Sequence, residues 1–190
     1  GGGAGMLMMA QPIADAMKSV TQTPFSGKRI YMSPRGQRLT QRLAEELANE
    51  EELVILCGHY EGVDQRVLDK YIDMEISVGD YVLTGGETAA MVLVDCVARL
   101  IPGVLGSEES AADESFSVAG LLEYPQYTRP RVFEDLEVPP VLLSGDHKRI
   151  NQWRREQALL ATAKLRPDML KTAQITEKER AWLDEQLSKA

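Results

Sequence analysis

The chain has 190 residues, 44% of them hydrophobic and 26% charged, with a formal charge of −8. That length bounds it to one generous domain or two small ones, and no apolar run approaches the ~20 residues that cross a bilayer. The acidic balance argues against non-specific nucleic-acid binding, whose affinity comes from neutralised phosphates.

Gly1–Gly5 reads as a loop without the basic flank and apolar core of a secretion signal. Met6–Met9 is predicted as a short buried piece. Pro12–Val20 reads as a short helix with Pro near its start. Lys28–Met32 is a predicted strand ending at Ser33-Pro34, and Gln37–Asn49 an amphipathic helix with Leu39, Leu43 and Leu47 on one face. The apolar run Leu53–Cys57 has the pattern of a parallel strand buried on both faces. Val63–Lys70 is expected to be helical and Tyr71–Val78 a strand. Glu87–Ile101 is apolar nearly all round and is predicted as a buried helix, stopped by Pro102-Gly103. Alternation of strand and helix with short links means α/β with a parallel sheet.

The chain changes character over Gly106–Gly120, where acidic and small residues without periodicity read as a mobile linker. An irregular Pro- and Tyr-containing segment follows. Asp146 N-caps a predicted long helix from His147 to Leu165, with Ile150, Trp153, Gln157, Leu160 and part of Lys164 inward, and Lys148, Arg149 and Arg155 toward solvent. Thr176 and Glu179 fit the capping box of a final helix. The second half is therefore a small helical domain. The basic residues gather there: Arg129, Arg131, Lys148, Arg149, Arg154, Arg155, Lys164 and Arg166. Their distribution matters more than the total charge.

Three strand exits carry glycines: Tyr31–Gly36 (YMSPRG), Cys57–Gly62 (CGHYEG) and Ile76–Gly86 (ISVGDYVLTGG). Such exits expose backbone N–H and C=O groups in a small cup, and ligands of parallel sheets sit at the carboxyl ends of the strands. With only Arg35 nearby, main-chain recognition suits an adenosine moiety better than a triphosphate. The plainer reading is that any α/β domain needs glycine at its tight turns. The two histidines, His59 and His147, lack zinc-site spacing, and no nucleophile elbow is present. Cys57 and Cys96 read as small buried hydrophobes of a reducing, cytoplasmic setting, with a disulfide between them the lesser alternative.

Arg99 closes a helix, where it either complements the dipole or steadies negative charge in a cleft. Glu114 is either a solvated loop acid or a base delivered by an ordering segment. Lys148, Arg149, Arg154 and Arg155 surround Trp153, a pattern for RNA backbone contact and base stacking, or for an indole anchoring a helical core.

Six blocks decide between these readings: SPRG (Ser33–Gly36), CGHYEGVDQRV (Cys57–Val67), ISVGDYVLTGGE (Ile76–Glu87), ARLIPGVLG (Ala98–Gly106), LLEYPQYTRP (Leu121–Pro130) and SGDHKRINQWR (Ser144–Arg154). In order, across essentially the whole chain, they resemble the bacterial tRNA (guanine-N1)-methyltransferases. The resemblance implies the SPOUT fold, an α/β domain with a deep C-terminal trefoil knot, an exception to unknotted topology, followed by a small helical domain. It implies a knotted donor-binding domain over 1–106, a flexible linker with the catalytic acid over 107–122, and a tRNA-binding domain over 123–190. S-adenosylmethionine would be held by Tyr31, Met32, Ser33, Pro34, Gly36, Gly58, Tyr60, Glu61, Gly62, Ser77, Val78, Gly79, Tyr81, Leu83, Gly85 and Gly86. Glu114 and Arg99 would be catalytic. Ser115, His147, Lys148, Arg149, Arg154 and Arg155 would meet the RNA.

The implied reaction methylates N1 of the guanosine 3′ to the anticodon, in a homodimer whose sites are each completed by the partner. A divalent cation, magnesium, is associated with the family; no residue pattern marks its site. Three departures stand out. Glu114 occupies a position that is usually Asp, Ala89 one that is often Pro, and the chain starts in the glycine-rich loop where family members first have a strand and helices. The last point keeps a tRNA-binding protein without catalysis open as an alternative, beside a SPOUT methyltransferase for another RNA.

Overall fold

The computed structural model describes residues 5–21, 24–105, 114–116 and 120–189. It divides into two units, Gly1–Gly106 and Ser107–Ala190.

The first unit is built on β1 (Lys28–Arg38), β2 (Leu53–Cys57) and β3 (Met74–Ser77), parallel and in the order β2-β1-β3. Alternation along β1 sends neighbouring side chains to opposite faces. Ile30 and Met32 pack with Leu43, Leu47, Ile76 and Leu93 under α2 (Gln41–Leu47) and α4 (Glu87–Ala98). Tyr31 packs with Ile13, Met17, Val67 and Leu68 under α1 (Ala10–Val20) and α3 (Gln65–Tyr71). Helices thus cover both faces of a parallel sheet, as the alternation of elements implied.

Several boundaries differ from expectation. β1 does not end at Ser33-Pro34: Met32 and Gln37 both pair with Ile76, so residues 33–36 loop out of the ladder and the strand resumes. The bulge accommodates a proline that has no N–H to donate. Gly36 lies where a Cβ would stand 2.5 Å from the Glu75 carbonyl carbon and the Ile76 nitrogen. Gln37 and Arg38 therefore belong to the strand, and α2 starts at Gln41, capped by the Thr40 hydroxyl, which accepts from the Leu43 N–H at 3.2 Å. β2 is half-buried along its whole length, because among the described residues it pairs on one side only.

The expected buried helix is the largest correction. In α4 only Ala89, Leu93 and Val97, at i, i+4 and i+8, are buried, while Met91 is 71% and Val94 53% exposed. One stripe of a helix meets the sheet, and an all-round apolar sequence leaves the rest uncovered. Met6–Met9 is not a buried piece either. Met6, Leu7 and Met9 are exposed, and the segment is held by its backbone, Met8 N–H to the Gly62 carbonyl at 2.9 Å and Glu61 N–H to the Met6 carbonyl at 3.0 Å.

The second unit packs Leu121, Ala158, Leu159 and Leu183 between α5 (His147–Leu165) and α6 (Glu177–Ser188). Thr162 is fully buried and fully bonded. Its hydroxyl donates to the Ala158 carbonyl at 2.7 Å and accepts from the Leu122 N–H at 2.9 Å. The inward stripe of α5 therefore centres on Ala158, Leu159 and Thr162 rather than on Gln157 and Leu160. A short hairpin, β4 (Val132–Phe133) with β5 (Leu136–Glu137), turns through Glu134 and Asp135, both at positive φ. The capping box at Thr176 and Glu179 is formed as expected.

The expected linker over 107–122 falls largely outside the described residues, which omit 106–113 and 117–119. Its described part is tied to the chain that follows. The Ser115 hydroxyl accepts from the Glu123 N–H at 2.9 Å, and the Phe116 N–H donates to the Leu121 carbonyl at 2.9 Å.

Candidate active site

Each strand of the sheet releases its chain at the same end. Residues 33–36 leave from β1, 58–62 from β2 and 78–86 from β3, and together they line a cavity of about 390 Å³. Of the residues expected to hold a donor, all but Gly36 line it; Gly36 instead lets the bulge lie against β3. Arg35, His59, Val63, Gln65, Leu68, Ile76, Val82, Thr84 and Ala89 also line it and were not singled out as donor contacts. His59, Val82 and Thr84 lay inside the recognised loops, but Leu68 and Ala89 reach the cavity only because α3 and α4 pack there.

Main chain holds the loops together. The Gly86 N–H donates to the Gly58 carbonyl at 2.9 Å, and His59 bridges Gly85. His59–Gly62 closes as a turn, Gly62 N–H to the His59 carbonyl at 3.1 Å, with Tyr60 at φ 59° and its side chain exposed. Ser77 braces the third loop, its hydroxyl donating to the Gly79 carbonyl at 2.9 Å and accepting from the Gly79 N–H at 3.2 Å. Gly58 leaves room for the Tyr31 ring, whose hydroxyl oxygen would lie 2.8 Å from an added Cβ.

The charged groups at the rim are mostly engaged with each other. Arg35 meets both carboxylate oxygens of Glu75 at 3.0 Å and the Gln65 side-chain carbonyl at 2.8 Å, and that guanidinium holds the Glu75 carboxyl below its ordinary range. The Glu87 carboxyl is lowered by its own backbone N–H and by His59, whose Nε2 it contacts. Burial raises the Tyr31 phenol and the Cys57 thiol, so neither is a ready nucleophile. What remains for a ligand is a wall of backbone groups, apolar side chains, hydroxyls of Ser33 and Thr84 and the Glu61 carboxylate, suited to a nucleoside and ill suited to a triphosphate.

The other expected functional residues stand as follows. Arg99 is half-buried at the C-cap of α4 in the first unit, and Glu114 is half-buried in the second. His147, Lys148 and Arg149 form the exposed first turn of α5. The Arg154 guanidinium lies 4.9 Å over the Tyr124 ring. Arg155 does not point to solvent: it is half-buried, 2.6 Å from the Glu179 carboxylate and 2.6 Å from the Gln174 carbonyl. Among the described residues no three metal-ligating side chains gather, and no helix is long and apolar enough to cross a membrane.

These features define an α/β protein with a nucleoside-sized, main-chain-lined cleft at the carboxyl ends of a parallel sheet, carrying a helical unit with a basic helix start. The family model described as tRNA (Guanine-1)-methyltransferase TrmD matches residues 1–172, and the chain belongs to this family. A relative from Alkaliphilus metalliredigens, named tRNA (guanine-N(1)-)-methyltransferase, is 58% identical over 188 residues, covering 97% of this chain and 76% of its own length. Relatives of the same name from Clostridium botulinum and Clostridium perfringens are 56% and 55% identical, over 95% and 94% of this chain and 74% and 75% of theirs.

Proposed function

We propose that this protein transfers the methyl group of S-adenosylmethionine to N1 of guanine in tRNA, at the guanosine 3′ to the anticodon. The observation that carries the reading is the convergence of three glycine-bearing loops on one main-chain-lined cavity, in a chain of the tRNA (Guanine-1)-methyltransferase family. Bound there, S-adenosylmethionine supplies an electrophilic methyl on a positively charged sulfur. The chain's own residues do the rest. The backbone of residues 58–62 and 77–86 meets the nucleoside, and the loops orient the methyl toward the acceptor, so proximity supplies much of the acceleration.

Guanine N1 bears a proton at neutral pH and is not nucleophilic until it leaves. The Glu114 carboxylate takes that proton, and Arg99 steadies the negative charge that grows on O6. The N1 lone pair then forms the new C–N bond as the C–S bond breaks toward sulfur. Glu114, one methylene longer than the Asp usual at this position, keeps the chemistry of a carboxylate base.

We read the three loops as those of a SPOUT-type trefoil knot and the helical unit as the tRNA-binding part, through Ser115, His147, Lys148, Arg149 and Arg154, with Arg155 acting from its pair with Glu179. We read the enzyme as a cytoplasmic homodimer with each site completed by the partner copy. The uncovered apolar face of α4, with Met91 and Val94, supports a second copy. The test is transfer of labelled methyl to a tRNA transcript, followed by nucleoside digestion. Label in 1-methylguanosine, lost when the guanosine is changed to adenosine, is expected. Label surviving that change would assign a different RNA target, and no label at all would overturn the reading.

A further inference from the structure

The second unit holds a cavity of about 330 Å³, and of its wall only Arg154 has a role in the proposed function. Tyr127 and Trp153 line it, their ring centroids 6.3 Å apart and tilted by 53°. Arg154 and the Tyr124 ring beneath it form another part of the wall, with Arg129 and Arg131. Arg131 lies 3.7 Å from the Glu137 carboxylate, which is not itself a lining residue. Among the described residues no Asp or Glu lines the cavity, in a chain where acids outnumber bases 29 to 21. Such a concentration of arginine against the overall charge selects an anionic ligand.

Two further observations narrow the class. Packing alone would seal a tyrosine against an indole, yet Tyr127 is 46% exposed and open volume remains beside both rings. The first turn of α5, one turn before Ile150, Trp153 and Arg154 of the cavity wall, is His147-Lys148-Arg149. The Asp146 carboxylate caps this turn, accepting from the Arg149 N–H at 3.1 Å, and three basic side chains follow it. Aromatic rings and arginines lining one cavity are the chemistry that holds an unpaired base and its phosphates. The volume lies at the small end of the range for ligand sites, room for one nucleotide and not for a duplex.

We propose that this cavity takes one unpaired nucleotide of the RNA substrate, its base against Tyr127 and Trp153 and its phosphates against Arg129 and Arg131. The proposal rests on the reading of the chain as a tRNA methyltransferase. It adds an anchor within the helical unit, distinct from the donor cavity. Because every base has a π-face, the anchor contributes affinity rather than base choice.

The test uses the whole chain, a tRNA transcript and the variant Tyr127→Leu. Tyr127 is exposed enough for leucine to leave the core of the unit intact. Stacking on one base predicts a loss of tRNA affinity of about 5- to 150-fold, with S-adenosylmethionine affinity and the methylation rate at saturating tRNA unchanged. Trp153→Phe keeps a ring and should stay within about twofold of wild type, while Trp153→Leu should match Tyr127→Leu. A scan removing one unpaired base at a time from the transcript locates the nucleotide. At one position wild type loses the same factor and Tyr127→Leu loses nothing more. Wild-type affinity in Tyr127→Leu, or losses that add at every abasic position, would overturn the subsite and leave the methyltransferase reading standing. Failure of the wild-type chain to methylate tRNA would overturn both.

Discussion

Gly86→Ala puts the loop arrangement to a steric test. Gly86 sits at the N-cap of α4 with φ −78° and ψ −14°, angles open to any residue, so alanine brings no backbone strain. Its Cβ, however, would stand 2.8 Å from Cys57 Cα and 3.0 Å from the Gly58 nitrogen, where ordinary contact begins near 3.4 Å. The obstacle is main chain and cannot rotate away, so the second and third loops must part by roughly half an ångström. That movement also stretches the 2.9 Å bond from the Gly86 N–H to the Gly58 carbonyl. Overpacking of this kind costs about 1–3 kcal/mol, and the strained bond adds up to about 1 kcal/mol. If the loops must close on the donor, S-adenosylmethionine affinity falls about 5- to 700-fold, at 1.4 kcal/mol per factor of ten. Calorimetric titration measures it. Gly103→Ala is the control: Gly103 has φ +84° and, among the described residues, no atom within 4 Å of its added Cβ, so it should lose roughly 1 kcal/mol of stability through backbone strain and none of the donor affinity. Donor binding within twofold of wild type in Gly86→Ala, with unchanged melting, would refute the reasoning.

Three further outcomes are expected. Glu114→Gln should abolish turnover and leave donor affinity nearly intact; unchanged turnover would remove Glu114 from the mechanism. Val94→Asp, on the uncovered face of α4, should shift a dimer to monomer in sedimentation, and a dimer of undiminished stability would place the interface elsewhere. Arg155 and the Thr176 N–H hold the Glu179 carboxyl down to about 2. A depressed folded value means stability present above the ordinary carboxylate range and lost as pH falls from about 4.5 toward about 2. Because the pair is partly solvated, its contribution is on the order of 1–2 kcal/mol. Glu179→Gln should therefore unfold at lower urea than wild type at neutral pH, and the two should converge under acid; a constant gap would assign the effect to packing.

The order of elements and the loops around the cavity were legible because each has a local cause. Leu53–Cys57 is a strand with the bounds its apolar run indicates, and Asp146, Thr176 and Glu179 cap helices where their chemistry puts them. Glycines mark the three exits because the backbone must bend or approach another strand there, a demand written into the sequence itself. What stayed illegible depends on partners far along the chain. Whether β1 stops at Pro34 or resumes depends on Ile76 lying alongside to pair twice. Which stripe of α4 is buried follows from the sheet covering one side of it, since an all-round apolar helix carries no period to read. Arg155 turns inward because Glu179 and the Gln174 carbonyl wait there, and its neighbour Arg154 finds an aromatic ring instead. Local propensity and the glycine code thus decided which elements form and where the chain opens a cleft. Burial, ion pairing and the second cavity are properties of pairs distant in sequence, and only the folded chain brings those pairs together.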